Sequence, residues 1–219
     1  MAANRVIADS LLAFSGTQGQ AGWRYGYVAP GAPDDLYLLT YYGGPSGTPD
    51  GRVSPYVSWA PADTASGWNR VDPTFWHPGT EFWTVRQWTS SVAGKINISG
   101  FDLSPFGGNT GLIIRVDGRA LFSADNVQNV PITFSLAANV AIGSIVQFIL
   151  TPEGSDGMDA TTSRFTISRS ASTPPPDAAL IQVTPYYPEP TTFTGTSGND
   201  TLIGGTSDAT LLGGGARIG

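Results

Sequence analysis

The chain contains no cysteine, and histidine and lysine occur once each, as His77 and Lys95. The first absence excludes a disulfide scaffold, a cysteine-ligated zinc site and a thiol nucleophile. Charge is scarce as well: 13% of residues are charged, against about 25% in ordinary soluble domains. With eleven basic residues against seventeen acidic ones and a formal net charge of −6, the chain lacks the basic face that a nucleic-acid binder needs. No apolar run reaches the roughly 18 residues of a membrane-crossing helix. Residues 1–9 hold no long apolar core, so a signal peptide is expected to be absent or already removed. Nucleophile-elbow, phosphate-loop and His-Glu-x-x-His patterns are also missing.

Glycine (28), proline (17) and aromatic residues are plentiful. Short β-branched or aromatic runs at 23–28, 36–42, 82–88, 94–101, 112–117, 131–136, 144–151 and 163–168 are separated by Gly, Pro, Asn or Asp, as strands between turns are. Lys95-Ile96-Asn97-Ile98-Ser99 alternates as a strand with one wet face. Asp117-Gly118 between apolar flanks is the strongest hairpin signal. Residues 135–142 read either as strand or as one helical turn. Many short strands at regular spacing predict an all-β fold, an antiparallel β-sandwich of jelly-roll type.

Three segments depart from this texture. Between Gly43 and Thr80 the chain is rich in Gly and Pro yet carries Tyr56, Trp59, Trp68, Phe75 and Trp76. Disordered segments are poor in aromatics, so an ordered excursion over one face or end of the sandwich is expected. Residues 170–193 include Thr-Pro-Pro-Pro-Asp and Tyr-Tyr-Pro-Glu-Pro, a semi-rigid linker with room for one edge strand at 179–183. Residues 194–219 are repetitive: Gly195-Thr-Ser-Gly198-Asn-Asp200-Thr-Leu202 aligns with Gly204-Gly205-Thr-Ser-Asp208-Ala-Thr-Leu211 at a nine-residue shift. The expected organisation is therefore 1–169 sandwich, 170–193 linker and 194–219 repeat tail.

The tail resembles the repeats-in-toxin (RTX) calcium-binding nonapeptide, Gly-Gly-x-Gly-x-Asp-x-apolar-x. In the second copy the acidic residue sits one place early, at Asp208, and Ser207 takes the inner glycine's place. The resemblance implies calcium held by Asp200 and Asp208 with turn carbonyls, and export without an N-terminal leader. Two imperfect copies fall short of the roughly three that a repeat stack needs. The first segment also resembles something. Phe14-Ser-Gly-Thr-Gln18-Gly-Gln-Ala-Gly22-Trp23-Arg-Tyr25-Gly-Tyr27, then Trp76-His77-Pro78 and Val85-Arg86-Gln87-Trp88-Thr89, are similar to jelly-roll domains of bacterial extracellular proteins, of carbohydrate-binding-module type. Gln87 stands where that pattern often has a second arginine.

These readings nominate residues. A flat aromatic ring suits the C–H face of a pyranose, and Tyr56, Trp59, Trp68 and Trp76 are the platform candidates, although covering the core explains them nearly as well. Trp88 and Phe148 are expected in the core, as is the shared face of Trp23, Tyr25 and Tyr27. The run Glu153-Gly-Ser-Asp156-Gly-Met-Asp159 places three carboxylates before the last strand. The resemblance implies calcium on Asp156 and Asp159, with Asp9 or the Gln18-Gly19-Gln20 carbonyls as N-terminal partners; an acidic turn explains the same residues equally well. Asp72 and Glu81 flank His77 as the nearest approach to an acid/base pair, and His77 itself reads as structural. The expectation is a secreted or cell-surface bacterial module, not an enzyme, that binds polysaccharide and uses Ca2+. The alternative is an adhesive protein that self-assembles into a homo-oligomeric layer or filament.

Overall fold

The computed structural model describes residues 5–43, 57–62, 68–126 and 129–169, together with four C-terminal strands. The strands are β1 (Arg5–Asp9), β2 (Trp23–Ala29), β3 (Ala32–Leu38), β4 (Tyr41–Gly43), β5 (Ser58–Ala60), β6 (Arg70–Val71), β7 (Phe75–His77), β8 (Trp83–Thr89) and β9 (Gly94–Leu103). They continue with β10 (Thr110–Val116), β11 (Arg119–Asn126), β12 (Ile132–Val140), β13 (Ile145–Pro152), β14 (Thr161–Arg169), β15 (Ala178–Gln182), β16 (Thr191–Thr194), β17 (Asn199–Ile203) and β18 (Ala209–Leu212). The one helical element among the described residues is a 3-10 turn, Gln20–Gly22.

Two antiparallel sheets face each other as a jelly-roll sandwich. The first runs β12-β9-β14-β7-β6-β5-β4, with β1 alongside β14; the second runs β11-β10-β13-β8-β2-β3. Alternation along each strand sends one set of side chains inward. Ile96 and Ile98 of β9 are fully buried, and Ile98 lies between Leu136 and Ile167 of the neighbouring strands. Two residues further along, Gly100 lies between Phe134 and Phe165. A Cβ there would collide with the Arg164 carbonyl and press on both rings. The glycine lets Phe165 stack on Phe148 of the opposite sheet, centroids 4.2 Å apart and planes 3° from parallel.

Each of the eight predicted runs contains strand, and the Asp-Gly hairpin is present. Asp117 and Gly118 have φ of 48° and 79°, the pair of positive values that a two-residue type I′ turn requires. The Asp117 carboxylate then accepts from Ser144 Oγ (2.8 Å) and the Ile145 N–H (2.7 Å). Trp88, Phe148, Trp23 and Tyr25 are in the core, and Tyr27 packs half-buried against it. Residues 135–140 take the strand reading, because Leu136 and Val140 sit on the buried face of β12. Two details differ from expectation. The 36–42 run divides, its chain crossing between sheets at Leu39, whose N–H bonds the Tyr25 carbonyl. The aromatic excursion supplies β5, β6 and β7, which prolong the first sheet, because Trp59, Val71 and Trp76 belong to its core side. In the C-terminal strands pairing is parallel, β15 with β17 and β16 with β18.

β1 is fixed at its end by Asp9. Oδ1 accepts from the Leu11 and Leu12 N–H groups at 3.0 and 3.1 Å, and Oδ2 meets Arg164 Nη2 at 2.7 Å. Burial pushes this carboxyl up, but Arg164 and the two N–H groups outweigh burial and hold it below its ordinary value of 3.8. A depressed folded-state pKa adds stability above the unfolded value and loses it as pH falls through the folded one. Asp9→Asn is expected to cost about 1–2 kcal/mol at pH 7, and the difference from wild type should shrink below pH 3.8. Urea midpoints at pH 7 and at about pH 2.5 check this; an equal loss at both would mean that charge plays no part.

Candidate functional site

The four predicted platform aromatics do not form one surface. Trp59 is 5% exposed; its Nε1 donates to the Ser15 carbonyl at 2.9 Å, and its ring lies against Tyr25 and Tyr42. It pins β5 to the N-terminal loop. Trp76 is 1% exposed, with Nε1 donating to Asp102 Oδ1 at 3.1 Å and its ring edge-on to Phe165. Both rings are in the core and offer no face to a sugar, which corrects their assignment. Their positions on β5 and β7 put them in one inward row with Val71. Tyr56 lies outside the described residues.

Trp68 differs. It is 40% exposed and stands two residues before Arg70, which pairs with His77 across β6 and β7. These two strands turn Val71 and Trp76 inward; Arg70 is nonetheless buried, 8% exposed, and His77 is half-buried. The Arg70 guanidinium carbon lies 5.6 Å from the Trp68 ring centroid and the His77 ring 5.8 Å from it. His77 Nδ1 donates to the Pro78 carbonyl at 2.6 Å, which holds the imidazole in place. The exposed indole thus lies beside a guanidinium and an imidazole, an apolar plate next to planar polar groups. Arg70 was not singled out from the sequence; its place opposite the lone histidine depends on the β6–β7 pairing. Three further exposed aromatics emerge only in the structure: Tyr42 (39%), Phe106 (47%), and Tyr37 (53%) stacked on Tyr27.

The carboxylates flanking His77 are not an acid/base pair. Asp72 is buried, and Oδ1 accepts from the Thr74 N–H (2.8 Å) and the Phe75 N–H (2.6 Å), capping the β6–β7 turn. Burial pushes its carboxyl up, opposed by those N–H groups and by Arg86. Glu81 is exposed in the turn before β8.

The acidic run before β14 differs in burial from one carboxylate to the next. Asp159 is 1% exposed, Asp156 half-buried and Glu153 exposed. Both Asp159 carboxylate oxygens lack a hydrogen-bond partner among the described residues. Burial, followed by repulsion from Asp156 and Glu153, pushes this carboxyl up to about 7. Facing it is the 104–109 loop, joined to the acidic loop by the Glu153 N–H bonding to the Asn109 carbonyl at 3.2 Å. Of the N-terminal partners expected for a cation, Asp9 pairs with Arg164, the Gly19 carbonyl accepts from the Gly22 N–H at 3.1 Å, and the Gln20 carbonyl accepts from the Trp23 N–H. The Gln18 side chain bonds the backbone of Tyr25 and Leu39 at 2.8–2.9 Å. Among the described residues no three His, Cys, Asp or Glu side chains converge as a ready metal cluster. An all-oxygen donor set with one dry, unpartnered carboxylate nonetheless suits a hard cation in kind, since such ions also take carbonyls and water. Asp200 lies in β17, known by its backbone alone, and Asp208 lies outside the described residues.

No family model matches the chain, and no curated protein matches it significantly. Among solved structures it is similar to the native structure of a family 35 carbohydrate-binding module from Clostridium thermocellum. The identity is 18%, over 42% of this chain and 75% of that one, with a TM-score of 0.31. So distant a likeness says nothing of a ligand, and the sandwich described above rests on its own strand pairing.

Proposed function

We propose that the sandwich is a non-catalytic module that binds polysaccharide at Trp68. The observation that carries this reading is the exposed Trp68 indole, with the half-buried His77 at its side and the buried Arg70 guanidinium behind it. A pyranose laid on the ring would bury its C–H face there, while its hydroxyls meet the imidazole edge of His77. The inward use of Asp72 as a turn cap supports a binding role over hydrolysis, which needs two positioned carboxylates. The repeat tail, similar to segments of exported proteins, supports an extracellular or surface setting, and its nonapeptides suit calcium.

Trp68→Ala is expected to weaken binding to soluble polysaccharides at least about tenfold, the loss of roughly 1.4 kcal/mol. Affinity gels and tryptophan quenching by glycan would read this, with the melting temperature essentially unchanged. Equal retention of wild type and variant by every glycan that binds would sink the reading. Particles that grow with protein concentration, without any glycan response, would favour self-assembly instead.

A further inference from the structure

We propose that the β11–β12 side of the sandwich is a docking edge for the repeat tail, whose parallel strands it caps in place of a terminal repeat, independently of any glycan at Trp68. An edge strand offers a row of unpaired N–H and C=O groups, and proteins ordinarily shorten it, charge it or break it with proline. On the far side of the sandwich both edges are guarded in this way. β4, which ends the first sheet, has three residues. β3, which ends the second, carries Pro33, Asp34 and Asp35 and a register shift against β2. β12 has none of these guards. It ends the first sheet with nine residues, Ile-Thr-Phe-Ser-Leu-Ala-Ala-Asn-Val, without a charge or a proline. β11, the strand before it, ends the second sheet.

A strand of the tail lies beside each of these two edges. β15 comes against β12 and β16 against β11, with Cα atoms within 8 Å. Stacked sheets lie about 10 Å apart, so the tail strands flank the edges and do not cover the faces. β17 then pairs with β15, and β18 with β16, both parallel, so each small sheet continues one layer of the sandwich. Thr191 pairs with Ala209, eighteen residues on, two lengths of the nine-residue repeat. Ala178 pairs with Asn199 at an offset three residues longer, and that turn holds Pro185, Pro188 and Pro190. A two-stranded sheet is marginal by itself, parallel pairing is weaker per residue, and a repeat stack needs about three units. Against β12 and β11 each pair becomes the outer part of a larger sheet. The sandwich thus stands in for the missing repeat, and the tail covers the unguarded β12.

Native-state hydrogen exchange of the full chain, read by peptide mass spectrometry with calcium present, tests this. Stacked repeats are held by their nearest neighbours, so breaking the inner and the outer strand should have different effects. Leu180→Pro with Ile181→Pro breaks β15; Thr201→Pro with Leu202→Pro breaks their register partners on β17. Proline has no N–H to give, and two in succession remove a donor on each side of the strand. The outer variant should lose protection at 199–203, while 178–182 stays slowed at least about tenfold relative to an unstructured chain. The inner variant should lose both segments and quicken exchange at 132–140 on β12. An unprotected tail in the wild type would overturn the proposal. So would loss of 178–182 in the outer variant, or an unchanged β12 in the inner one, since the tail would then stand or fall by itself. All six tryptophans precede residue 89, so their emission shows whether each variant's sandwich is folded. If a double variant does not fold, Ile181→Pro and Leu202→Pro singly repeat the comparison.

Discussion

Arg86→Met is expected to lower the free energy of unfolding by about 3–5 kcal/mol, the range for removing one member of a buried charge group. Arg86 lies on β8, fully buried between Tyr25 of β2 and Phe148 of β13. Its Nη2 donates to the Asp72 and Phe75 carbonyls at 2.9 and 3.1 Å, so the second sheet grips the β6–β7 turn of the first. Burial pulls the guanidinium below its ordinary value, opposed by Tyr25, Asp72 and Asp102. In return it helps keep Asp72 ionised and restrains Tyr25, whose hydroxyl burial pushes up to about 12. Methionine approaches the volume but takes the side-chain donor from the Asp72 carbonyl, leaves the Phe75 carbonyl with the Asp72 N–H alone, and removes this cation from two buried carboxylates. Adding Asp72→Asn should return part of the loss, because the worst residual charge then disappears. Equilibrium denaturation of the single and double variants measures both effects. A loss under about 1 kcal/mol would mean that the desolvation cost of Arg86 cancels what it contributes.

Trp76→Ala should cost about 3–5 kcal/mol, the usual range for truncating a large core aromatic. The ring is edge-on to Phe165 at 5.5 Å, and the Arg86 guanidinium lies 5.4 Å from its centroid. Trp76→Phe keeps most of the packing but removes the N–H that reaches Asp102, for about 1–3 kcal/mol. Combined with Arg86→Met, Trp76→Ala should cost less than the two single losses together, since the residues touch and share Asp102 as a neighbour. Trp68→Ala, by contrast, should stay within about 0.5 kcal/mol of wild type, as surface changes usually do. Thermal or urea unfolding of the three alanine and phenylalanine variants tests this ordering. A Trp76→Ala protein as stable as Trp68→Ala would contradict the core assignment.

Those two tryptophans show where the sequence stops being informative. Both belong to a Gly- and Pro-rich stretch with no periodicity long enough to assign faces. Trp76 becomes core because Val71 lies opposite it on β6 and Thr161 opposite it on β14. Trp68 reaches the surface because it precedes the same short hairpin by a turn. In β2 the assignment was readable: Trp23, Tyr25 and Tyr27 alternate within a seven-residue strand, enough to fix a face. The two-residue Asp117-Gly118 turn was readable for a similar local reason, since few sequences tolerate two successive positive φ values.

Local pattern, then, determined the class of the molecule: short alternating runs between turn residues yield strands, and apolar faces without helical period yield a sandwich. It also marked the acidic run and its three carboxylates. What it did not determine is which of them loses its water. Asp159 is dry because Gly108, fifty-one residues earlier in the chain, brings the 104–109 loop against it. Asp9, the partner suggested by chain order, is occupied by Arg164 across the β1–β14 pairing. Burial and electrostatic pairing depend on contacts between segments remote in sequence, and only the tertiary structure decides those.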